Sequence, residues 1–211
     1  MFYLVKTPGW LRKFYSKCVW SIPVHEKIIY LSFDDGPHPV ITPFVLDELK
    51  KYNAKASFFC IGKNVLSHPD VYRRIIDEGH AVGNHSFNHL NGWKTDDKIY
   101  LDDIAEAKKY IDSDLYRPPY GRITRFQLGQ LSLKRFDLKT IMWTVLSGDF
   151  DVNVSPGKCL KNVLSKTGPG SIVVFHDSEK ANTRMRYALS GTLKYFSRKG
   201  YRFEKISVGT G

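Results

Sequence analysis

Residues 28–52 read IIYLSFDDGPHPVITPFVLDELKKY. Ile28 to Phe33 is a short apolar run rich in β-formers, and Asp34-Asp35-Gly36-Pro37 stops it with the residues that make turns. From Ile41 to Tyr52 the period changes. Phe44, Val45 and Leu49 recur at helical spacing, so the stretch is one strand, one polar loop and one helix. An isolated unit of this kind says little. Its repetition along the chain decides the fold class.

Outward from that unit, Ala56 to Ile61 reads as the next strand, Asp70 to Glu78 as a helix ended by Gly79, and His80 to Gly83 as a third strand. A helix is predicted over Asp97 to Ile111, a short strand near Leu115, and a further helix over Gln127 to Leu133. Lys139 to Val145 and Ser171 to Phe175 read as strands, separated by a helix with Pro156 in its first turn. A last helix, Arg184 to Arg198, stops at Gly200 before Tyr201 to Phe203. About seven β-α units in one domain imply an α/β fold with a parallel sheet, open or closed into a barrel. Function is then expected on the loops that follow the strands.

The 211 residues suit one domain, and 42% apolar with 14% aromatic residues supplies a packed core. Disordered and fibrous classes are excluded. No apolar run reaches the roughly 20 residues of a spanning helix, and Lys6 interrupts the first apolar stretch before a signal-peptide core can form. The expectation is therefore a cytoplasmic or membrane-peripheral protein. Cys18, Cys60 and Cys159 are odd in number and far apart, fitting buried thiols rather than a disulfide framework. The net charge of +11 is concentrated at the ends: residues 1–27 carry five basic and one acidic side chain, and residues 178–211 eight and two. The centre is nearly balanced, which argues against nucleic acid as a partner.

Residues suited to catalysis fall just after the predicted strands: Asp34 and Asp35, His85 and His89, Arg117, Asp149, and His176. His85 and His89 stand four apart, a spacing that lets two imidazoles reach one cation. Imidazole pairs suit zinc or a similar metal, and two His with one carboxylate leave a position open for water. Asp34 and Asp35 both qualify as that carboxylate. Whichever is not a ligand is free to take a proton.

Ser32-Phe33-Asp34-Asp35-Gly36-Pro37, His85-Ser86-x-x-His89, Arg117-Pro118-Pro119-Tyr120, Asp149 with its aromatic neighbour, and Val174-Phe175-His176-Asp177 together resemble the five ordered motifs of the NodB-type polysaccharide deacetylases, carbohydrate esterase family 4. The resemblance spans about residues 28–205 and implies a distorted (β/α) barrel with about seven strands. It also implies removal of N- or O-acetyl groups from an acetylated glycan such as peptidoglycan, chitin or xylan, with N-acetyl expected first. By the same resemblance Asp34 is the general base, and Asp35, His85 and His89 hold one divalent metal, zinc first, with Co²⁺, Ni²⁺ or Mn²⁺ as substitutes. Arg117 would orient Asp34, the Tyr120 N–H would donate to the oxyanion, and His176 with Asp149 would protonate the leaving group. Pro119, Tyr120, Phe150 and Val174 would line the substrate site. The fourth motif departs from the family: Phe150 stands where Trp is usual and Leu146 where an Asp is frequent, and Asp151 competes with Asp149 for the role beside His176.

Other readings fit these residues less well. Ser147, Ser178 and Cys159 sit in no nucleophile motif. A catalytically silent glycan-binding protein would have lost Asp34 or a metal ligand, and a small-molecule amidase or esterase would differ in substrate only. His25, His38, His68 and His80 read as structural, with His38 near enough to the base motif to touch substrate. The chain divides into a basic segment (1–27), a catalytic domain (28–205) and a tail (206–211). In the first, Trp10, Leu11, Phe14, Tyr15 and Cys18 recur at helical spacing with Arg12, Lys13 and Lys17 between them. Such a helix either packs on the barrel exterior or meets an anionic membrane or glycan surface.

Overall fold

The computed structural model describes residues 3–207. The last residues of the tail, 208–211, lie outside them. The central strand β1 (Ile28–Asp34) is buried along its whole length, as a strand covered on both faces must be. It pairs in parallel with β2 (Ala56–Cys60) on one side and β7 (Ile172–His176) on the other. Beyond β2 come β3 (Ala81–Asn84), β4 (Leu115–Tyr116) and β5 (Lys139–Thr140), and beyond β7 comes β6 (Val145–Leu146). These seven form one curled parallel path. The short β8 (Arg202–Phe203) pairs with the first residues of β1.

The strand expected over Lys139 to Val145 is therefore two two-residue strands at opposite ends of the path. Between them the barrel has a gap, and the N-terminal segment fills it. Val19 bridges Ile141, Lys6 bridges Val145, and Ser21 bridges Ser171. The predicted helix there is only α1 (Gly9–Phe14). Leu11, Tyr15 and Cys18 pack into the cluster around Tyr100, Tyr116 and Leu131, while Trp10 and Phe14 are exposed. Of the packed residues only Leu11 lies in the helix; Tyr15 and Cys18 follow it.

Alternation along β1 sets the site. Ile29, Leu31 and Phe33 face the helices, where Phe33 stacks on Phe58 and Phe175. Ile28 and Tyr30 belong to a separate cluster with Phe59 and Ile172, so Ser32 and Asp34 continue that interior face to the rim. β7 alternates in the same way, and its register places His176 beside Asp34. The covering helices are α2 (Ile41–Lys50), α3 (Gly62–Ser67), α4 (Pro69–Asp77), α5 (Asp97–Lys108), α6 (Arg125–Leu131), α7 (Pro156–Lys166) and α8 (Asn182–Arg198). Several start where the sequence signals a cap: Asp96 accepts from two N–H groups of α5, Thr124 and Gln127 make a capping box on α6, and Ser155 precedes Pro156 on α7.

Because the N-terminal strap is packed into the barrel, Trp20→Ala should destabilise the fold by about 3 kcal/mol. Trp20 is buried and its indole N–H donates to the Tyr15 carbonyl. Trp10→Ala, at an exposed position, should change stability by less than about 0.5 kcal/mol. Urea unfolding of the two variants beside the parent reads the difference directly; equal, small effects would mean that the strap is not part of the cooperative unit.

Candidate active site

Arg117 enters the barrel at the end of β4 and is fully buried. A guanidinium there needs every donor satisfied. Its Nη1 donates to Asp34 Oδ1 at 2.6 Å and to Ser32 Oγ at 2.8 Å, Nε to the Ile141 carbonyl and Nη2 to the Met142 carbonyl. The plane lies over the Phe59 ring, 3.9 Å from its centroid. The Arg117 carbonyl faces outward and meets His85 Nδ1 at 2.7 Å. A carbonyl can only accept, so Nδ1 carries the proton and Nε2 keeps its lone pair.

The Nε2 atom of His85 lies 3.8 Å from Asp35 Oδ1, and that of His89 lies 3.3 Å from the same oxygen. One ligand atom from each of the three residues falls within 4.8 Å of the others. Burial pushes the His85 imidazole down to about 4, which keeps it neutral. Burial pulls the Asp35 carboxyl upward, but the facing imidazoles outweigh it and hold it ionised well below the usual range. Asp35 Oδ1 is buried and accepts no hydrogen bond. Two imidazoles around a buried carboxylate oxygen that accepts no hydrogen bond fit a divalent cation.

Several residues outside that donor set hold it in place. Asp103 on α5 accepts from the Phe87 and Asn88 N–H groups and from the Asn88 side chain, fixing the loop between the two histidines. Asn64 donates to the Asp35 carbonyl. Asp177 accepts from the Gly36 N–H at 3.0 Å and from the Thr42 hydroxyl; burial pushes its carboxyl up to about 7. The sequence assigns no role to any of these. Asp177 stands in the quoted motif beside His176, whereas Asp103 looks like one more charge on an amphipathic helix.

Across the rim, Asp149 is fully buried and holds His176 twice, through the backbone N–H and through Nδ1, both at 2.7 Å. Burial alone would lower the imidazole, but the Asp149 carboxylate outweighs it and raises His176 to about 10. Asp151 lies elsewhere: it accepts from the Asn153 N–H. Phe150 meets the His176 ring edge-on at 5.3 Å, and Tyr3 from the strap tilts against Phe150 at 4.9 Å. Gly148, with φ 83°, makes room for this, since a Cβ there would come within 2.9 Å of the Tyr3 hydroxyl.

An open cleft of about 390 Å³ over the site is lined by Asp35, His89, Tyr120, His38 and Asp177 among others. Tyr120 packs on His89 at 4.6 Å and is held at φ 60°, and its N–H makes no hydrogen bond among the described residues. Pro119 and Val174 are buried. Val174 lies in β7 between Ser32 and Leu146 of the neighbouring strands. His38 accepts from the Val40 and Ile41 N–H groups at the start of α2 and faces Glu179 with Nε2.

The sequence of residues 21–134 matches the family model for polysaccharide deacetylases. The chain is 34% identical over 194 residues to a peptidoglycan-N-acetylglucosamine deacetylase of Bacillus cereus, covering 89% of this chain and 90% of that protein. It is 35% identical over 190 residues to the peptidoglycan-N-acetylmuramic acid deacetylase PdaA of Bacillus subtilis, covering 86% and 70%. Among solved structures, a peptidoglycan N-acetylglucosamine deacetylase in complex with a substituted N-oxidanyl-benzamide superposes with a TM-score of 0.84 at 31% identity, over 95% of each chain. With the five motifs gathered on one rim of a curled parallel barrel, the chain belongs to the polysaccharide deacetylase family, carbohydrate esterase family 4.

Proposed function

We propose that the enzyme hydrolyses acetyl groups, N-acetyl first, from a glycan of the peptidoglycan or chitin kind. The reading rests on one observation: the Asp34 carboxylate, tied by Arg117 at Oδ1 only, stands next to the ligand set Asp35, His85 and His89 and in register with His176. A divalent cation on those three ligands, zinc in this proposal, would acidify a water, polarise the acetyl carbonyl and balance the oxyanion when bound.

The chain's own residues do the rest. Asp34 takes the proton of the attacking water on its free oxygen, and the Arg117 guanidinium holds the carboxylate in place through Oδ1. The Tyr120 N–H donates to the oxyanion. His176 donates its Nε2 proton to the leaving nitrogen while Asp149 holds Nδ1 and steadies the imidazolium. Phe150, backed by Tyr3, walls this side of the site. The basic termini, with Trp10 and Phe14 exposed beside Arg12 and Lys13, hold the protein peripherally on an anionic membrane or glycan in the same proposal. An acetate-release screen over chitooligosaccharides, peptidoglycan and acetylated xylan tests the substrate class.

Asp34→Asn should retain about one equivalent of metal and lose turnover, whereas Asp35→Asn should lose metal affinity itself; elemental analysis and titration of both variants separate the roles, and equal metal loss would overturn the division. Asp103→Ala should weaken metal binding by about tenfold, by loosening the loop between the two histidines. His176 must be protonated to act, and its raised pKa of about 10 makes it the alkaline limb of the rate profile. Asp149→Asn removes the charge that raises that pKa, so the limb should move to lower pH and the maximal rate should fall. His176→Ala should abolish the limb; an unchanged profile in Asp149→Asn would sink the pairing.

A further inference from the structure

The loop that follows His89 and the loop that carries Tyr120 run side by side away from the cleft, and where they touch they build a platform. Gly92 is the closest approach: a Cβ there would lie 2.5 Å from the Arg122 carbonyl and 2.6 Å from Gln127 Oε1. Gln127 Nε2 donates to the Gly92 carbonyl, and Trp93 N–H to the Asn91 side chain. The Trp93 indole N–H donates to the Ile123 carbonyl at 3.0 Å, which fixes the ring's direction. The Arg122 guanidinium lies on that ring, 4.1 Å from its centroid. Trp93 nevertheless stays 55% exposed.

An indole held by its N–H and left open over much of its surface is poorly explained as packing. Truncation of an exposed ring would cost the fold little, yet an N–H hydrogen bond and a stacked guanidinium orient it. Arg122 has no carboxylate within ion-pair distance among the described residues, so its charge is uncommitted. The platform continues directly from the catalytic rim, since Trp93 is four residues from His89, Arg122 is two from Tyr120, and His89 and Tyr120 are themselves in contact. A pyranose ring presents a face of C–H groups that packs on an aromatic plane, and a fixed guanidinium beside it attracts an anion. A preorganised pair of this kind binds without an ordering cost.

We propose that Trp93 and Arg122 form a subsite for the sugar next to the one that loses its acetyl group, with a preference for a neighbouring sugar that carries a carboxylate. The inference rests on the glycan deacetylase reading. It assigns the stacking to Trp93 and the recognition of the acid to Arg122.

The test is acetate release from two metal-loaded variants and the parent, on neutral chitotetraose and on a tetrasaccharide of alternating N-acetylglucosamine and N-acetylmuramic acid. Trp93→Ala should raise KM for both by about tenfold with kcat little changed. Arg122→Gln should raise KM by about threefold for the acidic tetrasaccharide alone, and the salt dependence of that KM should fall. Hydrolysis of a small acetate ester, which reaches no neighbouring subsite, should be the same in all three. An unchanged KM in Trp93→Ala, or an equal loss on the small ester, overturns the subsite. Should the parent release no acetate from either tetrasaccharide, the deacetylase reading itself fails. Quenching of tryptophan emission by the tetrasaccharides then still decides: its loss in Trp93→Phe supports the platform, and its persistence refutes it.

Discussion

A guanidinium with no access to water stands at the centre of this molecule. Burying Arg117 is costly by itself, and the surrounding barrel offsets that cost with a carboxylate, a hydroxyl, two carbonyls and an aromatic plane. The compensation organises the site. Asp34 is held because Arg117 needs a counter-charge, Ser32 faces inward because a donor awaits it, and residues 141 and 142 leave the sheet with carbonyls turned to the same group. The backbone of the same arginine fixes the tautomer of His85. One residue thereby couples the proposed base to the proposed metal ligands and both to the gap in the barrel.

Backbone conformation tells a related story. Among the described residues six non-glycine positions have positive φ, and four of them, Asp35, Ser86, His89 and Tyr120, lie in the loops of the site. Such conformations cost about 1 kcal/mol or more each and persist where neighbours over-determine them. The neighbours here are Asn64 on the Asp35 carbonyl, Asn84 on the Ser86 N–H and Asp103 on the loop before His89. Polar side chains aimed at main-chain groups are what keep the ligand loops in place.

The motif residues were legible because they follow strands, and strand ends on one rim meet in space. Periodicity located β1, β2 and β7 and most helices within a few residues, since long buried strands and capped amphipathic helices carry strong local signals. It failed between Lys139 and Val145, where an apolar run hides a break that only the barrel's curvature explains. It also missed α3, whose six residues are too few to show a period. The contest between Asp149 and Asp151 could not be resolved from spacing; burial resolves it, because one carboxylate lies under His176 and the other caps a turn. Asp103 and Trp93 carry no local signal at all, because what each does depends on a partner far along the chain.

The strap that seals the gap also delivers Tyr3 to the ring behind His176. Closure of the barrel and the shape of one catalytic wall are thus inherited as a single piece of chain. Residues 3–21 and Phe150 therefore form one unit of exchange: moved together into a relative they carry a matched wall, and moved singly they leave either a void or a collision beside the imidazole. Divergence in this part of the molecule is expected to proceed by coordinated pairs, one partner at the start of the chain and the other some 150 residues later.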